Sequence, residues 1–354
     1  MASTTGTLRF GLIGCGDIGR LRVDALARSP GCKLSVVADA DQNRARSFAQ
    51  GSDVAVADDW RALVAREDVD AVLVCTPPRL HAEMCIGAAE HGKHVLCEKP
   101  LAFDADEARS IVAAGERYGV RIATGFNYRF YPSFAKAKAI LADGRIGRID
   151  HIRSFGGYSA TSHNQAWVHD VNTVGGGAMR DVGIHLLDLT RDMLGDVVDV
   201  QGMSTDSVWQ YPGCEDNGFA LLRSSTGVVA TVQASWTEWR KYRFSIDVYG
   251  SLGCLRATCF PMMTDVRWST TVSGTMRKET DYFPRSIVNE KLHSYRRIVV
   301  DSFVLEHAAF RDYVAGHPSR IASARDGLRA LEIVEAATGI APLPVEAYPA
   351  NGAS

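Results

Sequence analysis

At 354 residues the chain is longer than one hydrophobic core usually serves, so two domains are expected. Charged residues at 23% and hydrophobic ones at 46% are ordinary for a globular protein, and a formal net charge of -2 gives no electrostatic reason to expect nucleic acid or an acidic membrane surface. No apolar run approaches the roughly 20 residues that span a bilayer, and Met1 to Thr7 is small and polar, without the basic and apolar regions of a signal peptide.

Leu8 to Ile13 reads as a buried strand running into Gly14-Cys15-Gly16-Asp17-Ile18-Gly19, after which Leu21, Val23, Leu26 and Ala27 carry a helical apolar spacing. Strand, G-x-G-x-x-G and helix in that order form the arrangement that binds a dinucleotide. Gly14 permits the tight turn, Gly16 lets the backbone approach a pyrophosphate, and Gly19 lets helix and strand pack closely. The helix N-terminus, with Asp17 and Ile18, then faces the phosphates. In a chain with 32 glycines the same spacing also arises in ordinary strand-to-helix turns, so the next element matters. Lys33 to Ala38 is a second strand, and it ends at Asp39, where a carboxylate accepts hydrogen bonds from the adenosine ribose. That carboxylate repels a ribose phosphate, so NAD is expected over NADP. Arg44 lies close enough in sequence to blunt the preference and leave NADP usable.

Val54 to Val56 reads as a short strand, Trp60 to Arg66 as a helix, and Asp70 to Cys75 as a strand so apolar that both faces must be covered. It stops at Thr76-Pro77-Pro78, where proline forbids ladder pairing and helix continuation. A rigid turn at a strand's carboxyl end is where a doubly wound fold places ligand contacts, which makes Thr76 and Pro77 cofactor candidates. His81 to His91 forms a helix closed by Gly92, and His94 to Cys97 a strand leading to Glu98-Lys99-Pro100. Ala105 to Tyr118 is a helix capped by Gly119, and Arg121 to Gly125 a sixth strand. This alternation predicts a doubly wound parallel sheet over residues 1–126. Lys99, after a strand and before a proline at the cofactor edge, is set apart from a solvated surface lysine. Asn127 and Arg129, just past the sixth strand, are candidates for contact with nicotinamide or substrate and equally for a structural role.

From Tyr128 the texture changes to one long helix, Pro132 to Asp143, followed by strands with polar alternation. His151 to Tyr158, Val197 to Ser204, Gly218 to Arg223, Val228 to Trp236, Phe244 to Tyr249 and Gly253 to Thr258 predict a large, mostly antiparallel open sheet in an α+β domain over residues 127–354. Residues 302–316 and 323–338 close it with two helices, while the segment from Cys259 to Val300 matches no interpretable pattern. Within this half, Gly175-Gly176-Gly177 leaves a closely approachable backbone, and a helix starting near Met179 sets Asp181 and His185 at i and i+4 on one face. A base that takes an alcohol proton must titrate near neutrality, and histidine does. The plainer reading of such a pair is a carboxylate orienting a core histidine. No third ligand of suitable spacing accompanies them, so no metal is expected. Trp167, His169 and Asn172 precede the glycine run and are candidates for lining a substrate pocket, or for plain loop packing. Trp236 and Trp239, flanking a strand end, read as core or interface aromatics. The eight cysteines form no Cys-x-x-Cys pair and read as reduced, buried thiols, which suits a cytoplasmic protein.

Taken together, Ile13 to Gly19, Thr76-Pro77-Pro78 with His81, Gly92 to Ala102 containing Glu98-Lys99-Pro100, and Gly176-Gly177-Ala178 with Asp181 and His185 resemble the Gfo/Idh/MocA oxidoreductases over nearly the whole chain and in the right order. The resemblance implies an N-terminal Rossmann domain holding NAD, with His81 and Glu98 joining the cofactor set. It also implies oxidation of a secondary hydroxyl on a sugar, cyclitol or glycoside. Lys99 would hold the reacting oxygen and disfavour protonation of the base, His185 would accept the alcohol proton as hydride leaves, and Asp181 would bind a substrate hydroxyl. A keto-sugar reductase running the same step backward, and an NAD-binding regulator without turnover, remain open beside it. The family's open sheet face commonly pairs subunits, so a homo-oligomer, dimer or tetramer, is expected.

Overall fold

The computed structural model describes residues 6–162, 166–284, 286–288 and 295–344. Part of the small, polar N-terminal stretch, residues 1–5, and part of the uninterpreted segment before Val300 lie outside them. The first strands are β1 (Leu8–Ile13), β2 (Cys32–Ala38), β3 (Ala55–Val56), β4 (Ala71–Val74), β5 (His94–Glu98) and β6 (Ile122–Gly125). Between them run α1 (Asp17–Leu26), α2 (Gln42–Ala49), α3 (Trp60–Val64), α4 (His81–Glu90) and α5 (Ala105–Tyr118). Next come α6 (Pro132–Ala142), β7 (Ile149–Gly157), α7 (Val171–Val174), α8 (Ile184–Leu194), β8 (Val197–Thr205), β9 (Asn217–Ser224) and β10 (Val229–Ser235). The chain continues through β11 (Arg243–Gly250), β12 (Gly253–Cys259), β13 (Met263–Trp268), β14 (Arg277–Tyr282), α9 (Tyr295–Val314), β15 (Ala322–Ser323) and α10 (Ala324–Ala337).

Two compact units result, one of Met1–Phe130 with Ser294–Leu328, the other of Tyr131–His293 with Arg329–Ser354. The single boundary expected at residue 126 is therefore corrected to a discontinuous one. The cause is apolar: α9 covers α1, with Val300 and Phe303 packed on Leu21 and Ala25, and β15 adds an antiparallel edge to β6.

In the first unit the strand order is β15-β6-β5-β4-β1-β2-β3, parallel from β6 to β3. β4 is buried along its whole length and β1 over its last four residues, as their apolar runs require. The order reverses between β1 and β4, and a ligand crevice in such sheets opens outside the carboxyl ends at that switch. The glycine turn and Thr76 both lie there, with the Cys75 N–H donating to the Ile13 carbonyl at 2.8 Å.

The second unit holds an eight-stranded sheet, β14-β13-β12-β11-β7-β10-β9-β8, antiparallel except for the neighbours β7 and β10. α6 and α8 cover one face: Phe134 meets Phe244 edge-on at 5.5 Å, and Ser154 hydrogen-bonds Thr190 at 2.7 Å. The other face carries the alternate residues of each strand. Among the described residues no helix is long and apolar enough to cross a membrane. All eight cysteines are unbridged.

His81 and His307, fully buried in the first unit, are held below the ordinary histidine value of 6.5 by burial, His307 also by the Arg22 cation. Both bind protons less readily folded than unfolded. Their contribution to stability is whole above about pH 6.5 and is lost as pH falls below it, by at most about 1.4 kcal/mol per pH unit for each. Urea denaturation should therefore show a lower midpoint at pH 5.5 than at pH 7.5. Equal midpoints would mean that the two rings take up protons alike in the folded and the unfolded chain.

Candidate active site

The glycine turn is shaped by close approach. Gly14 adopts φ +98°, and a Cβ there would lie 2.6 Å from the Cys75 carbonyl oxygen; one at Gly19 would lie 2.1 Å from the Gly14 carbonyl oxygen. At Gly16, by contrast, a Cβ would meet nothing within 4 Å, so this backbone stands open to a ligand. Asp17 and Ile18 are exposed at the start of α1. Asp39 follows β2 and accepts the Cys15 N–H at 2.7 Å and the Asp41 N–H at 2.8 Å, which ties the carboxylate to the turn. Arg44 lies 3.6 Å from it and is half exposed. Burial, then the Asp39 charge, pushes the Cys15 thiol up to about 12, so it stays protonated. An open backbone, a helix N-terminus and a fixed carboxylate fit the diphosphate and ribose of a dinucleotide.

β5 delivers Glu98 and Lys99, both half-buried. Sequence reasoning missed what fixes them. Arg22, buried on α1, donates from Nε to Glu98 at 2.7 Å, pairs with Glu306 of α9, and stacks its guanidinium 3.7 Å from the centre of the Phe303 ring. Its signal was an arginine inside an otherwise apolar helical stripe. Glu98 thus faces a buried cation, and its second oxygen accepts the Lys99 N–H at 3.3 Å. This places Glu98 as the anchor of the Lys99 turn.

Three expected contact residues sit inside the scaffold instead. His81 is fully buried, its ring nitrogens 2.7 Å from the Thr76 carbonyl and 2.9 Å from that of Pro100, so it braces two loops and presents no face to a cofactor. Asn127 is buried and donates to Ser302 at 2.9 Å. Arg129 is buried beside Asp326 at 3.8 Å. The switch from strand to polar turn marked these positions, but not which way their side chains point. Thr76 and Pro77 remain partly exposed at the turn.

In the second unit the expected regular helix begins differently. Met179–Gly183 is a π-helical turn that leads into α8, a widening that recurs at functional sites. Glu215 caps it, accepting the Gly177 N–H at 2.8 Å and the Met179 N–H at 2.7 Å. Asp181 lies within the turn, partly buried; His185 follows in the first turn of α8, 7% exposed. The Asp181 carboxylate accepts from the Trp236 indole at 3.1 Å and from the Tyr158 hydroxyl. Trp236, read from sequence as a core or interface aromatic, is wholly buried and is also a partner of the carboxylate. Tyr158 carried no signal, because its nearness to Asp181 depends on strand pairing. Trp167 is 42% exposed on a short 3-10 turn, and Asn172 is exposed, donating to Asp170 at 3.3 Å. His169 stacks on Tyr211 at 4.2 Å.

Residues 8–126 match the family model described as oxidoreductase family, NAD-binding Rossmann fold, and residues 134–256 match the GFO/IDH/MocA C-terminal domain. The chain is 32% identical over 258 residues to inositol 2-dehydrogenase of Rhizobium meliloti, covering 71% of this chain and 76% of that one. It is 28% identical to 1,5-anhydro-D-fructose reductase of Ensifer adhaerens, covering 94% of each. A levoglucosan dehydrogenase solved in complex with NADH superposes with a TM-score of 0.82 at 25% identity, over 94% of this chain and 96% of that one. With the dinucleotide turn, the Glu98-Lys99-Pro100 segment and the two matched domains in this order, the chain belongs to the Gfo/Idh/MocA family of NAD-binding oxidoreductases.

Proposed function

We propose that this protein is an NAD-dependent dehydrogenase that oxidises a secondary hydroxyl of a sugar, cyclitol or glycoside. One observation carries the reading most: an imidazole, His185, sits two residues past a π-turn whose Asp181 carboxylate is held by two neutral donors. Bound NAD supplies the hydride acceptor. His185 accepts the alcohol proton, since an imidazole titrates near neutrality. The Lys99 ammonium holds the reacting oxygen and stabilises the negative charge that grows on it. Asp181 accepts a hydrogen bond from a neighbouring ring hydroxyl and so selects the carbon that reacts. Trp167 and Asn172, both exposed, are the remaining candidates for substrate contact. The names of the relatives, which include an inositol dehydrogenase and a sugar reductase, support a polyhydroxylated ring.

The reductase relative favours a second reading, in which the same groups run backward and His185 gives its proton to a ketone. Cellular cofactor ratio sets the direction. A spectrophotometric screen at alkaline pH, following NAD reduction with inositols, monosaccharides and glycosides and NADH oxidation with keto sugars, tests both. NAD binding without turnover in either direction would leave a non-catalytic regulator.

Replacing Asp39 by Ser should weaken NAD more than NADP, by about tenfold in the ratio of dissociation constants, as a charged acceptor for the ribose is lost. Titration calorimetry with the two nucleotides reads this directly. Equal losses would show that the ribose is held elsewhere and that Asp39 only ties the turn.

The protein also reads as a homo-oligomer, dimer or tetramer. Facing away from α6 and α8, Arg153, Asp247, Arg256 and Asp265 alternate in charge across paired strands, beside exposed Phe219 and Leu221. A face that carries both signs beside apolar side chains is able to meet its own copy across a two-fold axis. Sedimentation velocity showing only a monomer at micromolar concentration would remove this assignment.

A further inference from the structure

Asp181 is positioned less by its own turn than by two strand ends. β7 and β10 run parallel and in register, Gly157 opposite Ser235. Their carboxyl ends therefore deliver the next residues, Tyr158 and Trp236, side by side. Both are anchored: the Tyr158 N–H donates to the Ser235 carbonyl at 3.0 Å, and the Trp236 N–H to the Asp216 carbonyl at 2.8 Å. The Trp236 indole N–H lies 3.1 Å from Asp181 Oδ2 and 3.1 Å from the Tyr158 hydroxyl oxygen, and the Tyr158 hydroxyl donates to the same Oδ2. Behind this pair the rings are held in turn. The Trp209 indole donates to the Trp236 carbonyl at 3.0 Å, His169 meets the Trp236 ring edge-on at 5.4 Å, and Tyr242 stacks on Tyr158 at 5.9 Å.

A carboxylate set among Trp and Tyr rings carries a desolvation cost that a neutral amide or an apolar side chain would avoid. Two donors on one oxygen offset that cost, and they also remove rotational freedom about the last side-chain bond.

We propose that Tyr158 and Trp236 are positioning residues that clamp one oxygen of Asp181, so that the carboxylate meets the substrate ring in a single orientation and only one ring hydroxyl is presented for oxidation. The idea rests on the dehydrogenase reading of the site. It adds that the identity of the oxidised carbon is set by the strand ends as well as by Asp181.

Tyr158→Phe tests it, because the stack on Tyr242 is kept and only the donor is lost; Trp236→Phe is the second variant. Crystal structures of the variants are read first and need no turnover. A rotated or split Asp181 carboxylate in Tyr158→Phe supports the clamp, and an unmoved carboxylate overturns it even if the enzyme proves silent. Kinetics with NAD and each of myo-inositol, D-glucose and levoglucosan are read second. The clamp predicts a kcat lower by about ten- to hundredfold, an unchanged KM for NAD, a melting temperature lower by no more than a few degrees as one hydrogen bond is lost, and more than one keto product by NMR where the unaltered protein gives one. A displaced carboxylate with unchanged kcat and a single product would also overturn the proposal. Silence of the unaltered protein with all three polyols counts against the dehydrogenase reading, and the crystal structures then decide the clamp alone.

Discussion

Lys99→Met is expected to abolish NAD reduction, with a loss of at least about 10³-fold in kcat, or about 4 kcal/mol of barrier, while the protein still binds NAD. Methionine keeps the length and most of the apolar stem of lysine and removes only the ammonium. The backbone around it has supports of its own. Glu98 is anchored by Arg22, Pro100 is buried, and His81 braces the Pro100 carbonyl from beneath. A lost rate therefore reports the missing cation at the reacting oxygen and not a shifted loop. Stopped-flow measurement of NADH formation, beside calorimetric titration with NAD, separates the two effects. More than a tenth of the original kcat in the variant would mean that another group holds the oxygen. A fall in NAD affinity equal to the fall in rate would instead place Lys99 on the cofactor.

Much of this arrangement was legible in the sequence because local physics dictated it. The run Ala71–Val74 could only be a strand covered on both faces, and the glycine turn after β1 needed a residue able to adopt the positive φ of Gly14. Asp39 and Lys99 were singled out because each follows a strand, and Asp181 and His185 because they share a helical spacing after three glycines. What escaped was set by distant pairing. β14, Arg-Lys-Glu-Thr-Asp-Tyr, has no apolar alternation because it is an edge strand whose charges protect an exposed rim. Within β13 Val266 alone is a fully buried apolar residue, beside buried Thr264. α9 was expected to begin at residue 302 but already includes Tyr295, since the turn there is mostly polar and only tertiary contact with α1 gives the helix an apolar side. The same long-range logic explains His81, Asn127 and Arg129. Their spacing marked a turn beside the cofactor edge, yet their partners Pro100, Ser302 and Asp326 come from elsewhere in the chain and draw the side chains inward.

The π-helical turn had no sequence signature either, and it bears on the second large effect. An α-helix beginning at Met179 would set Asp181 and His185 on one ladder; the wider turn lets the carboxylate be taken by Tyr158 and Trp236 while His185 opens a regular helix. His185→Ala is expected to lower kcat by about two to four orders of magnitude, the range that a positioned general base contributes. Its pH dependence should change with it. In the unaltered protein the rate rises as the base loses its proton and then levels off. In the variant, hydroxide is the only acceptor, and log kcat should climb with a slope near one through the alkaline range. His185 is almost wholly buried, so circular dichroism and a melting curve must first show that the alanine variant folds, with His185→Asn as the variant that keeps more of the volume. A folded variant that retains its plateau, or loses less than tenfold in kcat, would move the base to another residue and leave the Asp181–His185 segment with substrate binding alone.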